Sequence, residues 1–370
     1  MEITFAEMYS GLGGMRYGLE KTNIENNDSS HESQPQTENT ERGCGLDSRR
    51  NKRKTSYRCV WANDIDKYAC QIYRKNYGDK ELVEGDIRTI DPKSIPHFDL
   101  LTAGFPCQSF SLAGKRRGFE DTRGTLFYEV ARIAEAKRPK LLLLENVKGL
   151  LSNDKGRTFA KIIQTLDDLG CDVEWQVLNS KYFGVPQNRE RVFIIGHSRA
   201  EPTRQIFPIT NNGEKDCEVG EVAGTLQGGG HSGGLHSNMT AIEIIQIKRT
   251  HADGNDTIRT YQNETPTLTS QMGTGDGNVP LVSQALQTDG FLRSGSSFGT
   301  DKLQSSRNIR RFTPTECERL QGFPDGWTEK GFSVIGNEVT ISDTQRYKTL
   351  GNAVTTNVIQ FIGEHLSSLF

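Results

Sequence analysis

The first two hundred residues alternate between short apolar runs and longer amphipathic runs, and this alternation constrains the fold more than any other feature. Apolar runs of strand length between segments of helical spacing are typical of a parallel sheet with crossover helices. Strands are predicted at residues 3–8, 57–63, 99–103, 141–145, 172–178 and 191–196. Helices are predicted at residues 14–21, 67–77, 126–136 and 158–169. We therefore expect an α/β fold that binds its ligands at the carboxyl edge of the sheet.

The rest of the chain departs from this alternation in two places. Residues 26–55 are polar and charged, so they are expected to form a disordered or surface insertion. Residues 201–306 are rich in Gly, Thr, Ser, Asn and Gln, with strand-like pieces only at 242–247 and 279–282. Helical spacing returns where Thr313 and Glu316 form a capping box, and a last helix is predicted at 353–369.

Composition limits the class of protein. A chain of 370 residues can hold two domains, and its net charge of −2 lacks the positive balance of many dedicated DNA-binding proteins. Contact with nucleic acid would then depend on local clusters such as Lys115-Arg116-Arg117. Seven cysteines without C-x-x-C spacing favour a reducing compartment over a disulfide frame or a zinc site. With neither a signal peptide nor an apolar run of about twenty residues, a soluble intracellular protein is expected.

A thiol and a carboxylate each follow a predicted strand. Cys107 comes after strand 99–103 with Pro106 directly before it, and Glu145 ends strand 141–145. A thiolate is a good nucleophile, and a carboxyl group in an apolar pocket keeps a proton that it can donate to a ring nitrogen. Together they suit attack on an electron-poor ring. A structural buried cysteine, and a Glu145 that caps a helix or pairs with an arginine, are the alternatives.

Three segments between strands and helices favour an adenosine ligand. Gly11 and Gly13 form a turn after the first strand, but Arg16 stands at the sixth position of G-x-G-x-x-G, which disfavours a dinucleotide. Asp64 lies about twenty residues beyond the glycines once the insertion is set aside, where an acid holds ribose hydroxyls. Asp86 and the aliphatic residue after it could contact the edge and face of adenine. A tight turn and helix caps are the alternative interpretations.

Five motifs in a fixed order give the chain a wider resemblance. They are the glycine turn, Pro106-Cys107-Gln108, Glu145-Asn146-Val147, Gln187-Asn188-Arg189-Glu190-Arg191 and Gly351-Asn352-Ala353-Val354. With them the chain resembles the prokaryotic DNA (cytosine-5)-methyltransferases over nearly its whole length. The resemblance implies a Rossmann-like class I methyltransferase sheet with a smaller target-recognition domain. The implied domains are 1–200 (catalytic), 201–340 (target recognition and hinge) and 341–370, a C-terminal helix that returns to pack beside the glycine turn.

The resemblance also implies an activity and a set of site residues. S-adenosylmethionine would be the methyl donor and S-adenosylhomocysteine the product, with no metal. The implied cofactor residues are Tyr9, Gly11, Gly13, Asp64, Ile65, Asp86, Ile87, Leu126, Asn352 and Val354. Cys107 would attack carbon 6 of a flipped-out cytosine and Glu145 would protonate ring N3, with Arg191 and Arg189 as further catalytic residues. The implied substrate-binding residues are Gln108, Ser111, Lys115, Arg116, Gln187, Thr267 and Leu268.

The implied partner is double-stranded DNA, methylated by a monomer in the cytoplasm of a prokaryotic cell or by a phage-encoded enzyme. A cognate restriction endonuclease that acts on the same site without direct contact is the further partner suggested. Residues 201–306 would read the target sequence, with Thr225-Leu226 as a rival to Thr267-Leu268 as the recognition element. A tRNA cytosine-5 methyltransferase and a catalytically silent DNA-binding module are the alternative functions. A nicotinamide dehydrogenase would leave Cys107 and Glu145 without roles.

Overall fold

A computed structural model describes the residues that carry the fold and most of the candidate site. The described residues are 1–28, 55–106, 126–201, 206–207, 243–248, 257–262, 265, 267–268, 281–285, 307–367 and 369. Among them, no helix has both the length and the apolar character needed to cross a membrane.

A seven-stranded sheet forms the centre of the molecule. Its strands are β1 (Glu2–Met8), β2 (Ser56–Asp64), β3 (Leu82–Glu84), β4 (Leu100–Gly104), β5 (Leu141–Val147), β6 (Cys171–Asn179) and β7 (Glu190–Ser198). They are arranged in the order β3-β2-β1-β4-β5-β7-β6. The six predicted strands are all present, whereas the three-residue β3 was too short to be predicted. The strand order reverses between β1 and β4, which is where open α/β sheets bind ligands.

The sheet is not wholly parallel as expected, because β7 runs antiparallel to both of its neighbours. Only residues 180–189 connect β6 to β7, and this connection is too short for the crossover helix that a parallel pair needs. As a result, the beginning of β7 lies at the edge where β5 ends, and Arg191 pairs with Val147. The reversed strand therefore brings Arg191 to the carboxyl edge of the sheet.

Seven helices are described, and five of them cover the two faces of the sheet. They are α1 (Gly14–Asp28), α2 (Lys67–Tyr77), α3 (Leu126–Lys137), α4 (Arg157–Asp168), α5 (Pro314–Leu320), α6 (Asp343–Asn352) and α7 (Thr356–Leu366). α1, α2 and α7 share one apolar cluster with Leu143, and α3 and α4 share another with Leu144. Successive residues of β5 thus alternate between two cores, and burial of each leucine contributes about 1.5–3 kcal/mol.

α2 has its predicted bounds, and the ends of α3 and α4 lie within one residue of theirs. α1 extends to Asp28, so the first three residues of the predicted insertion 26–55 are helical. Residues 29–54 lie outside the described part of the chain. α5 begins at Pro314, directly after its N-cap residue Thr313. The predicted capping box of Thr313 and Glu316 is confirmed.

The helix predicted at 353–369 is present as α7, and a further helix that was not predicted, α6, lies directly before it. The chain is extended at Ala353 (φ −66°, ψ 150°), so α6 ends before this residue and α7 begins at Thr356. α6 was missed because its ten residues are mostly polar and lack a clear apolar stripe. α7 packs closely on α1, since a Cβ at Gly18 would lie 2.6 Å from Cβ of Ile359. The last helix therefore packs against the helix that begins at the glycine turn.

A second sheet lies in the compositionally distinct region. Its antiparallel strands are β8 (Glu243–Lys248), β9 (Thr257–Gln262), β10 (Leu281–Ala285) and β11 (Arg307–Arg311), in the order β11-β10-β8-β9. β8 and β10 overlap the strand-like pieces at 242–247 and 279–282. A two-stranded sheet of β12 (Lys330–Phe332) and β13 (Glu338–Thr340) follows α5. The division into domains at residues 200 and 340 stays a prediction.

Candidate active site

One cavity of about 610 Å³ opens at the carboxyl ends of β1, β2, β4 and β5. Its size is within the range of small-molecule sites, about 300–1,000 Å³. Gly11 and Asp64 line one end of it, Glu145 and Arg191 line the other, and residues 349–354 supply a further wall. Nine of the ten predicted cofactor residues line this cavity, and the exception is Gly13. The strand order thus gathers residues that are far apart in the sequence.

The turn after β1 is built from residues with positive φ. Gly11 has φ 53° and Gly13 has φ 75°, and a Cβ on Gly13 would lie 2.4 Å from Cε2 of Tyr77. A Cβ on Gly11 would instead project into open space, so this backbone leaves room for a ligand. Tyr9 also has positive φ (56°), and its hydroxyl donates to the Leu126 carbonyl at 2.7 Å. Gly13 therefore serves packing, whereas Gly11 faces the cavity.

The Asp64 carboxylate is held by backbone amides at the edge of the same cavity. It accepts hydrogen bonds from the N–H groups of Gly11 (2.7 Å) and Asp66 (2.8 Å). Burial raises the pKa of Asp64. The neighbouring Ile65 is 67% exposed, so an apolar surface stands open beside a carboxylate. This pairing suits a nucleoside, which presents hydroxyl groups on its sugar and an apolar face on its base.

Asp86 lies on the next loop along the sheet. Its side chain caps the short helix at Ile87–Thr89 and pairs with Arg88 at 2.5 Å. These hydrogen bonds from Arg88 lower the pKa of Asp86 to about 2, so the group is anionic at neutral pH. Ile87 is buried beneath it and lines the cavity.

Asn63 connects two of the loops around the cavity, a role that the sequence analysis missed. Its side-chain amide donates to the carbonyls of Val83 (2.8 Å) and Gly85 (3.0 Å), and its backbone carbonyl accepts from the Ser10 N–H (2.9 Å). The side chain is only 1% exposed, so these bonds are shielded from water. An amide side chain directly after the apolar run at residues 59–62 was the signal that could have identified it.

Glu145 and Arg191 form an ion pair at the other end of the cavity. The Arg191 Nε lies 3.0 Å from Oε1 of Glu145, and both side chains are less than 15% exposed. Burial lowers the pKa of Arg191, although the carboxylate beside it acts in the opposite direction. The second oxygen, Oε2, faces Gly104, whose Cβ position would lie 3.5 Å away. One carboxylate oxygen is thus held by arginine while the other points along the cavity wall.

The segment that leads to the predicted nucleophile also reaches this end. Gly104, Phe105 and Pro106 line the cavity, and the Asn146 amide donates to the Phe105 carbonyl at 2.9 Å. Asn146, which follows Glu145 in β5, therefore fixes the path of the chain toward Cys107. Five predicted residues lie outside the described residues: Cys107, Gln108, Ser111, Lys115 and Arg116.

Arg189 occupies a different position from Arg191. Its side chain is 2% exposed, and it donates to the carbonyls of Leu268 (2.8 Å), Ala353 (2.7 Å) and Gly351 (3.3 Å). Burial lowers the pKa of Arg189 to about 9, and the charge of Arg191 acts in the same direction. The guanidinium thus binds backbone carbonyls from two segments of the chain.

The remaining predicted substrate residues pack against the arginine motif. Gln187 is fully buried and does not line the cavity. The Thr267 hydroxyl donates to the Asn188 carbonyl at 2.7 Å, and Leu268 is fully buried in an apolar cluster with Leu12. The Thr-Leu pair at 267–268 is therefore anchored to the strand connection that precedes β7, while its rival at 225–226 lies outside the described residues.

Comparisons with known proteins agree with this geometry. The family profile "C-5 cytosine-specific DNA methylase" matches residues 3–368. Type II methyltransferase M1.ScrFI of Lactococcus lactis subsp. cremoris is 37% identical over 310 residues, which are 83% of this chain and 71% of that protein. Type II methyltransferase M.NgoBI of Neisseria gonorrhoeae is 35% identical over 370 residues, covering 98% and 93% of the two chains. The crystal structure of S. pombe Dnmt2 methyltransferase shares the fold, with a TM-score of 0.60 at 20% identity over 99% of both chains. The protein described here thus belongs to the C-5 cytosine-specific DNA methylase family.

Proposed function

We propose that the chain methylates carbon 5 of cytosine within a specific duplex sequence, and that the flipped-out base is bound covalently to Cys107 during the reaction. Membership of the family makes the chain a DNA cytosine-5 methyltransferase, and the covalent route is the proposal. One observation carries it. A single cavity connects the nucleoside-type residues at Asp64 with the Glu145–Arg191 ion pair beside Pro106.

The residues at the first end of the cavity suit S-adenosylmethionine. Asp64 keeps lone pairs free to accept ribose hydroxyls, and the exposed Ile65 offers an apolar surface for the adenine face. Gly11 leaves space against its backbone, and Asn352 and Val354 would close the opposite side. When bound, the donor supplies an electrophilic methyl group. The chain's own residues must then make carbon 5 nucleophilic.

Cys107 and Glu145 would carry out this activation together. The Cys107 thiolate adds to carbon 6 of cytosine, and the electron pair of the 5,6 double bond becomes available at carbon 5. Glu145 supplies a proton to ring N3, which neutralises the charge that develops there. After carbon 5 has gained the methyl group, it loses its proton to water. The electron pair left behind re-forms the 5,6 double bond as the carbon 6–sulfur bond breaks and releases the thiolate, and ring N3 returns its proton to Glu145.

Arg191 would hold Glu145 in position for this proton transfer. Its ion pair uses Oε1, so Oε2 is available to the ring nitrogen. The target nucleotide must leave the duplex to reach this buried pair, which costs a few kcal/mol of unstacking. The substrate-binding role of Lys115 and Arg116, like that of Gln187 and the Thr267-Leu268 pair, is part of the same proposal.

Bisulfite sequencing tests the proposal directly. The chain is expressed in a bacterial strain without cytosine methylation, and Cys107→Ala is expressed as the matched control. We expect methylcytosine at one recurring sequence with the wild type and none with the variant. Incubation with donor and a duplex that contains 5-fluorocytosine should trap a covalent complex that withstands denaturation. Unmethylated DNA from cells that contain the folded protein would contradict the function.

A second assay distinguishes the proposed function from its two alternatives, a tRNA methyltransferase and a silent DNA-binding module. Labelled donor is offered with genomic DNA and, separately, with tRNA, and label in tRNA alone would overturn the choice of substrate. A silent DNA-binding module would leave both nucleic acids unlabelled. The relatives named type II methyltransferases favour DNA, and with it a restriction endonuclease of the same specificity as the partner in the cell.

A further inference from the structure

Arg189 is the largest fully buried side chain of the described residues. Its hydrogen bonds are to backbone carbonyls and not to the neighbouring Glu145–Arg191 ion pair. The acid at this end of the cavity, Glu145, is bound by Arg191 instead. The Arg189 guanidinium donates to three backbone carbonyls, and its Nε has no hydrogen-bond partner among the described residues. A buried cation held by carbonyls from separate segments fixes the distance between those segments.

The first segment contains Leu268 and lies between β9 and β10. It is tied to the strand connection before β7 through backbone bonds, since Asn188 N–H donates to Thr265 O and Thr265 N–H donates to Pro186 O, both at 2.9 Å. The Thr267 hydroxyl adds a bond to the Asn188 carbonyl. This segment belongs to the region proposed to read DNA.

The second segment consists of the end of α6 and the extended break that separates it from α7. Its carbonyls at Gly351 and Ala353 accept from Arg189 at 3.3 and 2.7 Å. The same residues line the cofactor cavity, and Val354 faces the glycine turn, where a Cβ on Gly14 would lie 3.6 Å from the Val354 carbonyl oxygen. A ligand in the cavity therefore touches the segment that Arg189 holds.

We propose that Arg189 is a positioning residue that couples occupancy of the cofactor cavity to the order of the DNA-reading segment at residues 265–268. The inference rests on the proposed function for the identity of the two ligands. Because coupling between binding sites is reciprocal, DNA on that segment also strengthens cofactor binding. Arg189 also lines the cavity. In this proposal it acts through the backbone carbonyls that it binds, and the catalytic role that the sequence analysis gave it stays a prediction.

Hydrogen–deuterium exchange with S-adenosylhomocysteine as the probe tests the coupling without knowledge of the target sequence. In the wild type, saturating S-adenosylhomocysteine should slow exchange in the peptides that contain Asn188 and Thr265 by about 5-fold or more, the lower end of typical coupling. In Arg189→Lys, the ammonium group keeps the charge but lacks the planar fork that reaches both segments. The slowing should then fall below about 2-fold while the probe still binds.

Arg346→Lys is the matched control. Arg346 is also a buried arginine of the C-terminal region, but it binds Glu318 and Thr328 rather than the segment at 265–268. This variant should keep the wild-type response, which separates loss of coupling from loss of stability.

Calorimetry of S-adenosylhomocysteine binding separates the ways in which the inference can fail. If the wild type binds the probe and exchange at Asn188 and Thr265 stays constant, the coupling is wrong while the proposed function stands. If Arg189→Lys keeps the wild-type slowing of exchange at Asn188 and Thr265, the coupling through Arg189 is also wrong while the proposed function stands. If the wild type does not bind the probe, the cofactor part of the proposed function fails, and the coupling fails with it.

Discussion

Arg191 and Glu145 are diagonal neighbours on antiparallel strands, because Arg191 pairs with Val147 while Glu145 pairs with Phe193. Residues two positions apart on a strand point to the same face, so the offset brings the two side chains together. The 3.0 Å contact between them follows from the reversed direction of β7.

Glu145→Gln should lower kcat by about 100-fold or more, the usual contribution of a general acid, because the amide cannot protonate the ring. Dissociation constants for S-adenosylhomocysteine and for duplex DNA should stay near their wild-type values. Transfer of a tritiated methyl group measures turnover. Glu2→Gln is the control, since it removes an exposed ion pair with Arg58 at the far end of β1 and should leave kcat unchanged. Full activity of Glu145→Gln would exclude the proposed proton transfer.

Asn63→Ala should weaken binding of S-adenosylhomocysteine by about 5- to 100-fold, because the carbonyls of Val83 and Gly85 lose a buried donor. The loop that carries Asp86 would then lose its fixed position. Calorimetric titration measures the affinity. Asn76→Ala removes comparable bonds to Ile72 and Trp327 and should affect stability but not affinity. Equal affinities for the two variants would show that Asn63 has no special role at the cavity.

Gly13→Ala should destabilise the fold by about 2–5 kcal/mol, which combines positive-φ strain with overpacking against Tyr77. Gly170→Ala carries the strain alone, since φ is 82° and the Cβ position is open, and should cost about 1–2 kcal/mol. Urea unfolding of both variants gives the two free energies. A smaller loss at Gly13 than at Gly170 would mean that the Tyr77 ring moves aside freely.

Glu7→Gln should change how stability depends on pH. Burial raises the pKa of Glu7 from 4.5 to about 8, against the opposing effect of the Arg16 backbone amide. Between these values the folded state keeps a proton that the unfolded state has lost, so the free energy of unfolding falls as pH rises. The wild type should therefore lose stability relative to Glu7→Gln by up to about 1.4 kcal/mol per pH unit. Urea unfolding at pH 5, 6, 7 and 8 measures the difference, and parallel curves would contradict the prediction.

Local patterns in the sequence predict much of the central sheet. Runs such as Leu141 to Leu144 are apolar on both faces because both faces are covered by helices, and this signal needs no knowledge of the partners. The placement of Asp64 and Glu145 at one edge follows from the same reasoning. Their cavity could thus be expected before the structure, although the roles assigned within it stay predictions.

Features that depend on contacts between distant parts of the chain could not be predicted from local sequence patterns. α6 has too few apolar residues to stand out, although the direction of β7 could have been inferred from the short connection at residues 180–189. Arg189 and Arg191 are two positions apart in one motif, yet one binds Glu145 and the other binds Leu268 and Ala353. Nothing in the local sequence distinguishes them, because their partners come from elsewhere in the chain.

The wall of the cavity at residues 349–354 comes from the C-terminal segment, whereas the glycine turn comes from the first strand connection. During synthesis on the ribosome, the early part of the chain therefore emerges with an incomplete pocket. A polypeptide whose translation stops before residue 349 lacks this wall and the carbonyls that hold Arg189. Premature termination thus yields fragments that cannot assemble the complete pocket, so methylation requires that nearly the whole chain has been synthesised.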